Sequence, residues 1–465
     1  MKILVLNCGS SSVKFQLIDS KDDNVIAKGI VEKIGTSSAV LRYRSFDKNE
    51  IREVLEVNNH EYAIKLALNT LTDKNRGVIK NVNEISAIGH RVVHGGESFS
   101  GSVIITDEVV KEMENCSIFA PLHNPANLKG IEACTSIIPG VDQVGVFDTA
   151  FHQQIPQKAF LYGLPYAIYE KHKIRRYGFH GTSHWYVSKK AAQILNSDYN
   201  NLKVITCHLG NGASIAAVKN GVSIDTSMGF TPLEGLIMGT RCGDIDPAII
   251  PYLMDKESLS SKEINNLMNK SSGLKGISKT SNDMREIEEE AESGSELHQL
   301  ALEIFCYRIK KYIGSYSAAL GGLDAVVFTG GIGENSPLVR EKVCEGLDFL
   351  GIVLDKGKNS KNETSLSTGN TSILVIPTNE ELAIAHETDR VLKEKHEREL
   401  KEKEDLKITK ELSGLTESDK AKIAIIWAEH KKLSNEKLLE IIKKDIGSKL
   451  SADSFERLLK LMGLS

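Results

Sequence analysis

The chain opens with MKILVLNCGSSSVKFQLID (residues 1–19), and this stretch decides the fold. The run Ile3–Leu6 is apolar throughout, which predicts a strand that is buried on both faces. From Val13 to Leu17 apolar and polar residues alternate, which predicts a strand with one buried face. The small and polar residues from Asn7 to Ser12 predict a tight turn between the two strands.

A similar arrangement recurs about two hundred residues later. Val204–Cys207 leads into His-Leu-Gly-Asn-Gly at 208–212, and an apolar run resumes at Ser214–Val218. Asn-Gly between apolar strands is a strong hairpin signal. A third apolar run, Ala325–Phe328, leads into a glycine-rich loop at Thr329–Asn335. The two hairpins predict an α/β fold with two related lobes, each a sheet covered by helices.

Length and composition exclude several classes of protein. At ~150 residues per domain, 465 residues predict about three folding units. Lys plus Arg is 58 and Asp plus Glu is 62, and this net charge of −4 is unlike that of a general nucleic-acid binder. The seven cysteines are scattered without a CxxC pair, which is typical of a reducing compartment. No apolar run has the length of a signal-peptide core or a membrane span, so we expect a soluble, cytoplasmic protein.

The composition changes near residue 393. Lys393–Glu411 is almost wholly Lys and Glu, which predicts an exposed helix or a solvated linker, and we place a charged linker at 396–412. Beyond it, apolar residues at helical spacing predict three short amphipathic helices in a small all-α module at 413–465. Thr416 with Asp419, and later Ser451, are expected to cap two of these helices.

Three glycine loops, each after a predicted strand, favour an anion site. Glycine lets the backbone approach a phosphate closely, and Ser10, Ser12 and Asn211 add donors. One such loop alone is more often only a turn, whereas three together favour a phosphate site. Neither GxxxxGK[ST] nor a strand opening into GxGxxG is present in the sequence. A nucleotide site here is therefore not of the P-loop or dinucleotide-binding type.

Arginine and histidine residues stand beside glycine in three segments. Arg91 precedes Gly95-Gly96, and Arg241 lies between Gly239 and Gly243. An Arg without bulky neighbours can present its planar fork to a carboxylate or phosphate, although a surface salt bridge is the commoner role. Tyr177–His184 places two histidines among glycine and hydroxyl residues, where zinc is a competing interpretation that no HExxH or Cys pair supports.

Two acidic positions follow predicted strands. Asp148 follows Val146-Phe147, and the end of a strand is a common position for active-site residues in α/β sheets. Glu380 and Glu381 follow the apolar run Ile373–Ile376. Taken alone, either of these glutamates is more often a residue at a helix N-terminus than a metal ligand.

Several motifs, in order from residue 1 to about 395, resemble the acetate kinase family. They are Asn7–Lys14, Phe179–His184, His208–Gly212, Gly239–Arg241, Gly330–Asn335 and Thr378–Glu381. The resemblance implies the sugar kinase/Hsp70/actin superfold, with two duplicated α/β lobes and a nucleotide cleft between them. It implies a first lobe at 1–150 with 380–395, and a second, nucleotide-binding lobe at 151–379. One departure is Cys242, where the family usually has Ser, and we expect activity to survive it.

The resemblance also implies the roles of individual residues. Asn7 and Glu380 would hold Mg²⁺, with Mn²⁺ as the alternative ion, and Arg91, Asp148, His180 and Arg241 would be catalytic. The ATP or ADP site would comprise Lys14, His208, Leu209, Gly210, Asn211, Gly212, Asp283, Met284, Arg285, Gly331, Ile332, Gly333, Glu334 and Asn335. The acetate pocket would comprise Arg91, Val93, Leu122, Phe179 and Pro232.

Asp148 is often given the role of proton acceptor in the family. Acetate does not need to lose a proton, because its carboxyl group, with a pKa of ~4, is already ionised at pH 7. We therefore expect Asp148 to orient the metal's water shell or an arginine.

The implied activity is reversible, Mg²⁺-dependent, in-line transfer of the ATP γ-phosphoryl group to acetate, giving acetyl phosphate and ADP in acetate and acetyl-CoA metabolism. The alternatives are a propionate or other short-chain fatty acid kinase, and a non-catalytic ATPase-fold scaffold. The bulky residues of the acetate pocket favour a methyl group, and the helical tail is unlike the β-rich peptide-binding domain that a chaperone would need.

The resemblance implies a homodimer. The C-terminal module is only about 50 residues long, so it should pack on the kinase body or bind an unknown protein partner.

We predict that a chain stopped near residue 398 keeps its acetate kinase activity. None of the residues assigned to catalysis lies beyond Glu380, so KM for acetate and for ATP should change by less than about threefold. Steady-state kinetics of the truncated and full-length chains measure this. An insoluble or inactive truncation would show that the tail is part of the catalytic fold.

Overall fold

The structure is a computed structural model that describes residues 1–46, 50–121, 123–430, 433–446, 450–462 and 464. Leu122, one of the residues expected in the acetate pocket, lies outside the described residues. The chain forms two compact units, Met1–Asp389 and Arg390–Ser465.

The first sheet contains eight strands among the described residues, in the order β5-β4-β3-β2-β1-β6-β8-β7. The strands are β1 (Lys2–Cys8), β2 (Ser12–Asp19), β3 (Asn24–Glu32), β4 (Thr36–Ser45), β5 (Ile51–Val57), β6 (Ala87–Val92), β7 (Val103–Ile104) and β8 (Asp142–Phe147). Strands β1 and β2 form the predicted hairpin, in which Leu4 pairs with Leu17 and Asn7 with Lys14. The prediction made from residues 1–19 is therefore confirmed.

The second sheet has the order β11-β10-β9-β12-β13. Its strands are β9 (Lys203–Leu209), β10 (Ala213–Lys219), β11 (Val222–Thr226), β12 (Ala325–Thr329) and β13 (Ser372–Val375). The predicted second hairpin is confirmed, because β9 and β10 pair antiparallel with His208 opposite Ser214.

Five strands of each sheet share one topology. In the first sheet β3, β2 and β1 are antiparallel neighbours, and β1, β6 and β8 are parallel. In the second sheet β11, β10 and β9 are antiparallel neighbours, and β9, β12 and β13 are parallel. This repetition confirms the predicted α/β fold with two related sheets. In parallel α/β sheets the carboxyl ends of the strands are the usual position of a ligand site.

Helices cover both sheets of the first unit. They are α1 (His60–Leu71), α2 (Asp107–Asn115), α3 (Asn124–Ile137), α4 (Gln157–Phe160), α5 (Tyr166–His172), α6 (Gly181–Ile194), α7 (Ile249–Lys256), α8 (Ser261–Lys270), α9 (Gly273–Ser278), α10 (Met284–Glu292), α11 (Glu296–Leu320), α12 (Gly330–Asn335), α13 (Pro337–Cys344), α14 (Lys356–Ser360) and α15 (Glu380–Ser413). Short 3₁₀ turns lie at Val82–Glu84, Cys116–Ile118, Ala150–His152, Tyr199–Asn201 and Asp348–Leu350. The division between the two units falls within α15.

Two glycines show how closely helices approach the first sheet. A Cβ atom on Gly130 of α3 would lie 2.5 Å from Cys8 Sγ of β1. A Cβ atom on Gly89 of β6 would lie 2.5 Å from Thr388 Oγ1 of α15. Such distances are shorter than van der Waals contact, so a side chain at either position would force the neighbouring residue to move. The first turns of α15 therefore pack on the first sheet, although they follow the second sheet in sequence.

The segment Gly330–Asn335, which the sequence predicts as a loop, is a short helix instead. Three of its six residues are glycines, and glycine disfavours an isolated helix. The carboxylate of Glu334 accepts hydrogen bonds from the backbone N–H of Gly330 at 2.9 Å and of Thr378 at 3.1 Å. The helix is therefore held by a tertiary contact that local composition does not reveal.

The second unit is helical, as predicted. After Arg390 it contains the rest of α15, then α16 (Glu417–His430), α17 (Asn435–Ile446) and α18 (Ala452–Leu461). The predicted caps form: Thr416 and Asp419 accept each other's backbone N–H, and Ser451 Oγ accepts the N–H of Ser454 at 3.2 Å. Residues 396–412 lie within α15, so this segment is a helix. Among the described residues no helix is both long enough and apolar enough to cross a membrane.

We predict that His90 makes the first unit acid-sensitive. This β6 side chain is buried, with Nε2 2.7 Å from Gln143 Oε1, and burial lowers its pKa to about 4. Between its folded pKa and the ordinary value of ~6.5 the unfolded chain binds the additional proton, so stability falls as pH falls below about 6.5. From pH 7 to 5 this loss is about 2 kcal/mol.

The measurement is urea unfolding of the wild type and of His90→Gln at both pH values. The variant cannot titrate at this position, so its free energy of unfolding should fall by about 2 kcal/mol less. Equal pH dependence in the two proteins would contradict the prediction.

Candidate active site

The candidate site lies where strands of both sheets end. In the first sheet Asn7 lies near the end of β1, Arg91 near the end of β6, and Asp148 directly after β8. The backbone N–H of Asp148 donates to Val92 O at 2.9 Å and holds the ends of β6 and β8 together. In the second sheet His208 lies near the end of β9, and Glu380 starts α15 shortly after β13.

Arg91 joins two acidic side chains in the interior of this site. Its Nη2 and Nε donate to the two carboxylate oxygens of Asp148 at 2.7 and 3.1 Å, a bidentate pair. Its Nε also lies 3.7 Å from Glu380 Oε2, which is beyond hydrogen-bond distance. The Asp148 side chain is only 2% exposed. Two carboxylates therefore lie beside one guanidinium.

The pKa shifts of these groups follow from burial and from mutual attraction. Burial raises the pKa of Asp148, and the charge of Arg91 opposes that shift. For Glu380 burial also acts to raise the pKa, but Arg91, His208 and Lys14 outweigh it and lower the pKa. Glu380 is therefore an ionised carboxylate at neutral pH.

His180 is held in a left-handed conformation with φ of 56° and ψ of 23° at the start of α6. Few residues other than glycine adopt this conformation without strain, and such strain is often found at functional sites. The next residue, Gly181, donates its N–H to Asp148 O at 2.9 Å, and a Cβ there would lie 2.2 Å from that oxygen. Asp148 thus fixes both Arg91 and the backbone that presents His180.

His180 is a neutral imidazole in this environment. Its ring stacks on that of His208 with centroids 4.3 Å apart. Burial lowers the pKa of His180 well below its usual value, and the nearby His208 and His184 lower it further. Protonation would place a charge beside Arg91 and Arg241, so the neutral form is favoured at pH 7.

Arg241 approaches the same point from the segment between β11 and α7. A Cβ atom on Gly212 would lie 3.6 Å from both Arg241 Nη1 and His180 Cε1, so the three residues converge. Arg241 Nη1 also donates to Pro232 O at 3.3 Å. The neighbouring Cys242 is half-buried and lines a separate cavity of about 310 Å³, away from this convergence.

His123 also belongs to this group, although no motif in the sequence pointed to it. Burial lowers its pKa, and the positive charges of Arg91 and Arg241 lower it further. His123 therefore lies close to both arginines. A single histidine before Asn124-Pro125 gives no periodic or spacing signal, and only its position next to Leu122 could have drawn attention to it.

A cavity of about 600 Å³ adjoins Gly210 and Asn211. This volume is typical of small-molecule sites. Its lining includes these sequence-predicted nucleotide residues: Gly210, Asn211, Asp283, Met284, Arg285, Gly331, Ile332 and Asn335. Asn282, Glu288 and Ser336, which the sequence reasoning missed, complete the lining. Asn282 donates to Asn211 Oδ1 at 2.9 Å and so joins two segments of the wall.

Five other predicted nucleotide residues do not line this cavity. His208 and Leu209 end β9, Gly212 lies near His180, and Gly333 and Glu334 belong to α12. Lys14 lies elsewhere, in a smaller cavity of about 290 Å³ that Lys28, Arg42 and Glu381 also line.

Arg340 of α13 is a fully buried cation that the sequence reasoning missed. Its Nη1 donates to the carbonyl oxygens of Gly333 and Glu334 at 2.9 and 3.0 Å, and its Nε donates to Asn359 Oδ1 at 2.8 Å. These contacts hold the last turn of α12 beside the nucleotide cavity. An arginine can be buried in this way because carbonyl oxygens satisfy its N–H groups.

Apolar side chains flank the arginines. Phe179 is buried directly before His180, and Val93 packs against the same apolar cluster. Pro232 lies within reach of Arg241 through its carbonyl oxygen. With Leu122 outside the described residues, three of the four apolar residues expected around acetate can be placed, and all three lie beside site arginines or His180.

The donor set suits a magnesium ion rather than zinc. Among the described residues no group of three or more His, Cys, Asp or Glu side chains could hold a metal ion. Mg²⁺ usually needs only one or two protein oxygens, with waters and substrate phosphates supplying the rest. The buried Glu380 carboxylate is an oxygen donor of the kind that such an ion takes.

Comparison with known proteins now identifies the family. The profile of the acetokinase family matches residues 2–386. The chain is 57% identical over 396 residues to the acetate kinase of Alkaliphilus metalliredigens, which covers 84% of this chain and 100% of that protein. The crystal structure of Porphyromonas gingivalis acetate kinase superposes with a TM-score of 0.82 at 49% identity, covering 84% of this chain and 99% of that one. A propionate kinase from Francisella tularensis superposes with a TM-score of 0.80 at 47% identity, covering 84% of this chain and 99% of that one.

The two related sheets and the site between their strand ends define an α/β kinase of the sugar kinase/Hsp70/actin-like fold. The chain belongs to the acetokinase family. The prediction made from the sequence motifs is therefore confirmed.

We predict that Asp148→Asn lowers kcat but leaves the shape of the pH–rate profile unchanged. Asp148 is paired with Arg91 at 2.7 Å. Removing the negative charge of Asp148 should therefore displace the Arg91 guanidinium, and it should not remove a titrating base. The measurement is kcat and kcat/KM from pH 5.5 to 9 for the wild type and the variant. Loss of the acidic limb in the variant would instead assign Asp148 the role of general base.

Proposed function

We propose that the protein is an acetate kinase that transfers the γ-phosphoryl group of ATP directly to acetate. The observation that carries this proposal is the convergence of Arg241 and His180 at Gly212, between the nucleotide cavity and the apolar residues beside Arg91. Family membership supplies the reaction class, and the convergence supplies one cation, Arg241, and one neutral imidazole, His180, where phosphoryl oxygens would lie.

In the proposed reaction an acetate oxygen forms a bond to the γ-phosphorus as the bond to the β–γ bridging oxygen breaks. The electron pair of that bond stays on ADP, and the product is acetyl phosphate. Acetate attacks as the carboxylate, so no proton has to be removed. Catalysis therefore depends on positioning and on stabilising charge that is spread over three equatorial oxygens.

The arginines supply that stabilisation. Arg241 faces the point that His180 also faces, and Arg91 is pre-oriented by its bidentate pair with Asp148. Cationic groups fixed before the reaction stabilise a transition state without reorganising during it. His180, as a neutral imidazole, can donate one hydrogen bond to a phosphoryl oxygen. We infer that Asp148 orients Arg91 and does not accept a proton.

Magnesium would be held by Asn7 and Glu380. The bound ion would neutralise charge on the β- and γ-phosphate oxygens. Glu380 contributes a buried carboxylate whose pKa is held below its usual value, so it remains ionised where a cation is needed. Mn²⁺ accepts the same oxygen donors and is the alternative ion.

Propionate is a second candidate substrate, because one structural relative is a propionate kinase at 47% identity. Val93, Phe179 and Pro232 are bulky and favour the methyl group of acetate. One additional methylene changes the discrimination between substrates by only about 1–3 kcal/mol. We therefore propose acetate as the preferred substrate and propionate as a slower one.

A coupled assay of ATP consumption with formate, acetate, propionate and butyrate tests the proposal. Hydroxylamine in a parallel reaction traps any acyl phosphate as its hydroxamate. The expected result is the highest kcat/KM with acetate, with equal amounts of ADP and hydroxamate. A preference for propionate would support the second candidate, and ATP consumption without a hydroxamate would contradict both.

Three further proposals concern assembly and location. We propose a homodimer and a cytoplasmic location, both on the resemblance to the family. The Alkaliphilus relative aligns over its full length while covering 84% of this chain, so the C-terminal helices lie beyond the shared catalytic region. Their charges are mixed, and we propose an unidentified protein, rather than nucleic acid, as any partner of this module.

We predict that Arg91→Ala and Arg241→Ala each lower kcat/KM for acetate by about a hundredfold or more. Each change removes a fixed cation from the proposed transition state. The measurement is steady-state kinetics in both directions of the reaction. Arg390→Ala is the control, because this exposed arginine of α15 pairs with Glu394 at 2.6 Å and belongs to none of the groups assigned to the substrates. Near-normal turnover in either active-site variant would remove that residue from the mechanism.

A further inference from the structure

A line of four buried polar side chains leads from His180 into the second sheet. His180 Nδ1 lies 2.9 Å from Ser214 Oγ, and this oxygen lies 2.8 Å from His184 Nε2. At the far end, His184 Nδ1 lies 2.7 Å from Thr206 Oγ1. Ser214, His184 and Thr206 are each fully buried, so solvent does not complete their hydrogen bonds.

The number of protons in this line restricts how they are arranged. Each hydroxyl has one proton to donate, and a neutral imidazole has one N–H and one acceptor nitrogen. Burial lowers the pKa of both His180 and His184 well below the usual value, so both rings are neutral at pH 7. Ser214 lies between two ring nitrogens and can donate to only one of them. Three arrangements pair every ring nitrogen. In one of them Ser214 Oγ accepts from both rings, and its own buried proton would have no acceptor among the described residues, which is strongly disfavoured. The other two run in opposite directions.

In the first arrangement the donors point toward His180. Thr206 donates to His184 Nδ1, the Nε2–H of His184 donates to Ser214 Oγ, and Ser214 donates to His180 Nδ1. Every proton in the line has an acceptor. His180 then carries its own proton on Nε2.

In the second arrangement the donors point toward Thr206. The Nδ1–H of His184 would donate to Thr206 Oγ1, and the Thr206 hydroxyl proton would need another acceptor. Apart from His184, no hydrogen-bond partner for Thr206 Oγ1 is found in the part of the chain that the structure describes. A buried donor without an acceptor is strongly disfavoured. The first arrangement is therefore the stable one.

The Nε2 edge of His180 faces the reaction site. A Cβ on Gly212 would lie 3.7 Å from His180 Nε2 and 3.6 Å from Arg241 Nη1. A phosphoryl oxygen at this point can accept a hydrogen bond from Nε2–H. With the opposite tautomer, the lone pair of Nε2 would face the anion and repel it.

We propose that Thr206 is a positioning residue that fixes the proton of His180 on Nε2, acting through His184 and Ser214. Thr206 lies on β9, two side chains away from His180, and belongs to none of the groups assigned above to the substrates. The catalytic consequence rests on the proposed function, because it requires a phosphoryl group beside His180. The tautomer itself does not depend on the identity of the substrate.

The direct test is nitrogen-15 NMR of the full chain labelled at histidine, without substrate, at pH 7. Protonated and unprotonated ring nitrogens have well-separated shifts, and His180→Gln identifies the His180 signals. We expect Nε2 of His180 to be the protonated nitrogen in the wild type. Protonation at Nδ1 in the wild type would overturn the proposal.

Variants then test the role of Thr206. In Thr206→Val the hydroxyl is lost, so His180 should show both tautomers, with kcat for acetate reduced about tenfold and KM for acetate and ATP within about twofold. Thr206→Ser should restore both readouts. Thr371→Val is the matched control, because the buried Thr371 hydroxyl donates to Leu350 O at 2.6 Å and has no connection to His180.

A single Nε2–H tautomer with unchanged kcat in Thr206→Val would overturn the inference. If that variant does not fold, Thr206→Ala makes the same deletion with a smaller side chain and is read in the same way. A wild-type protein without acetate-dependent ATP consumption would overturn the proposed function alone, since the tautomer is read in the absence of substrate.

Discussion

The pair between Arg91 and Asp148 is the contact on which the site depends. Arg91 lies near the end of β6 and Asp148 directly follows β8. The pair is bidentate, and the Asp148 carboxylate is nearly excluded from water. The backbone carbonyl of Asp148 also accepts the N–H of Gly181, where α6 begins. One residue thus fixes a cation from the first sheet and the turn that presents His180. A buried pair of this kind is retained more for geometry than for stability, because desolvation offsets much of its attraction.

The protonation states around this pair explain how two arginines and several histidines can lie close together in one site. Arg91, Arg241 and several histidines lie close together, and burial keeps the histidines neutral instead of adding further positive charge. The carboxylates of Asp148 and Glu380 balance the guanidinium groups before any substrate binds. A nucleotide adds negative charge and a divalent cation adds positive charge to a site whose own net charge is already close to zero. Little reorganisation is then needed when the phosphoryl group moves.

The sequence predicted the parts of the fold that depend on local pattern. Both hairpins have the alternation and turn residues that determine them, and the helices of the second unit have their caps in the sequence. The site residues could be named because long motifs resemble a family, not because spacing alone required them. His123 and Arg340 were missed, since each acts through contacts between segments that are distant in sequence. The line from His180 to Thr206 was hidden for the same reason, because serine and threonine in strands are common.

The short helix α12 shows how a tertiary contact can outweigh composition. Gly331 and Gly333 together cost about 2 kcal/mol relative to alanine in a helix, and Gly330 begins the helix with a φ of 76°, which favours glycine. At its N-terminus the Glu334 carboxylate accepts a backbone N–H, and at its C-terminus the Arg340 guanidinium donates to two carbonyl oxygens. A negative group at the first end and a positive group at the last end also complement the helix dipole. Gly331 can therefore remain small where it lines the nucleotide cavity, and the side chains of Glu334 and Arg340 supply the stability that the helix lacks by itself.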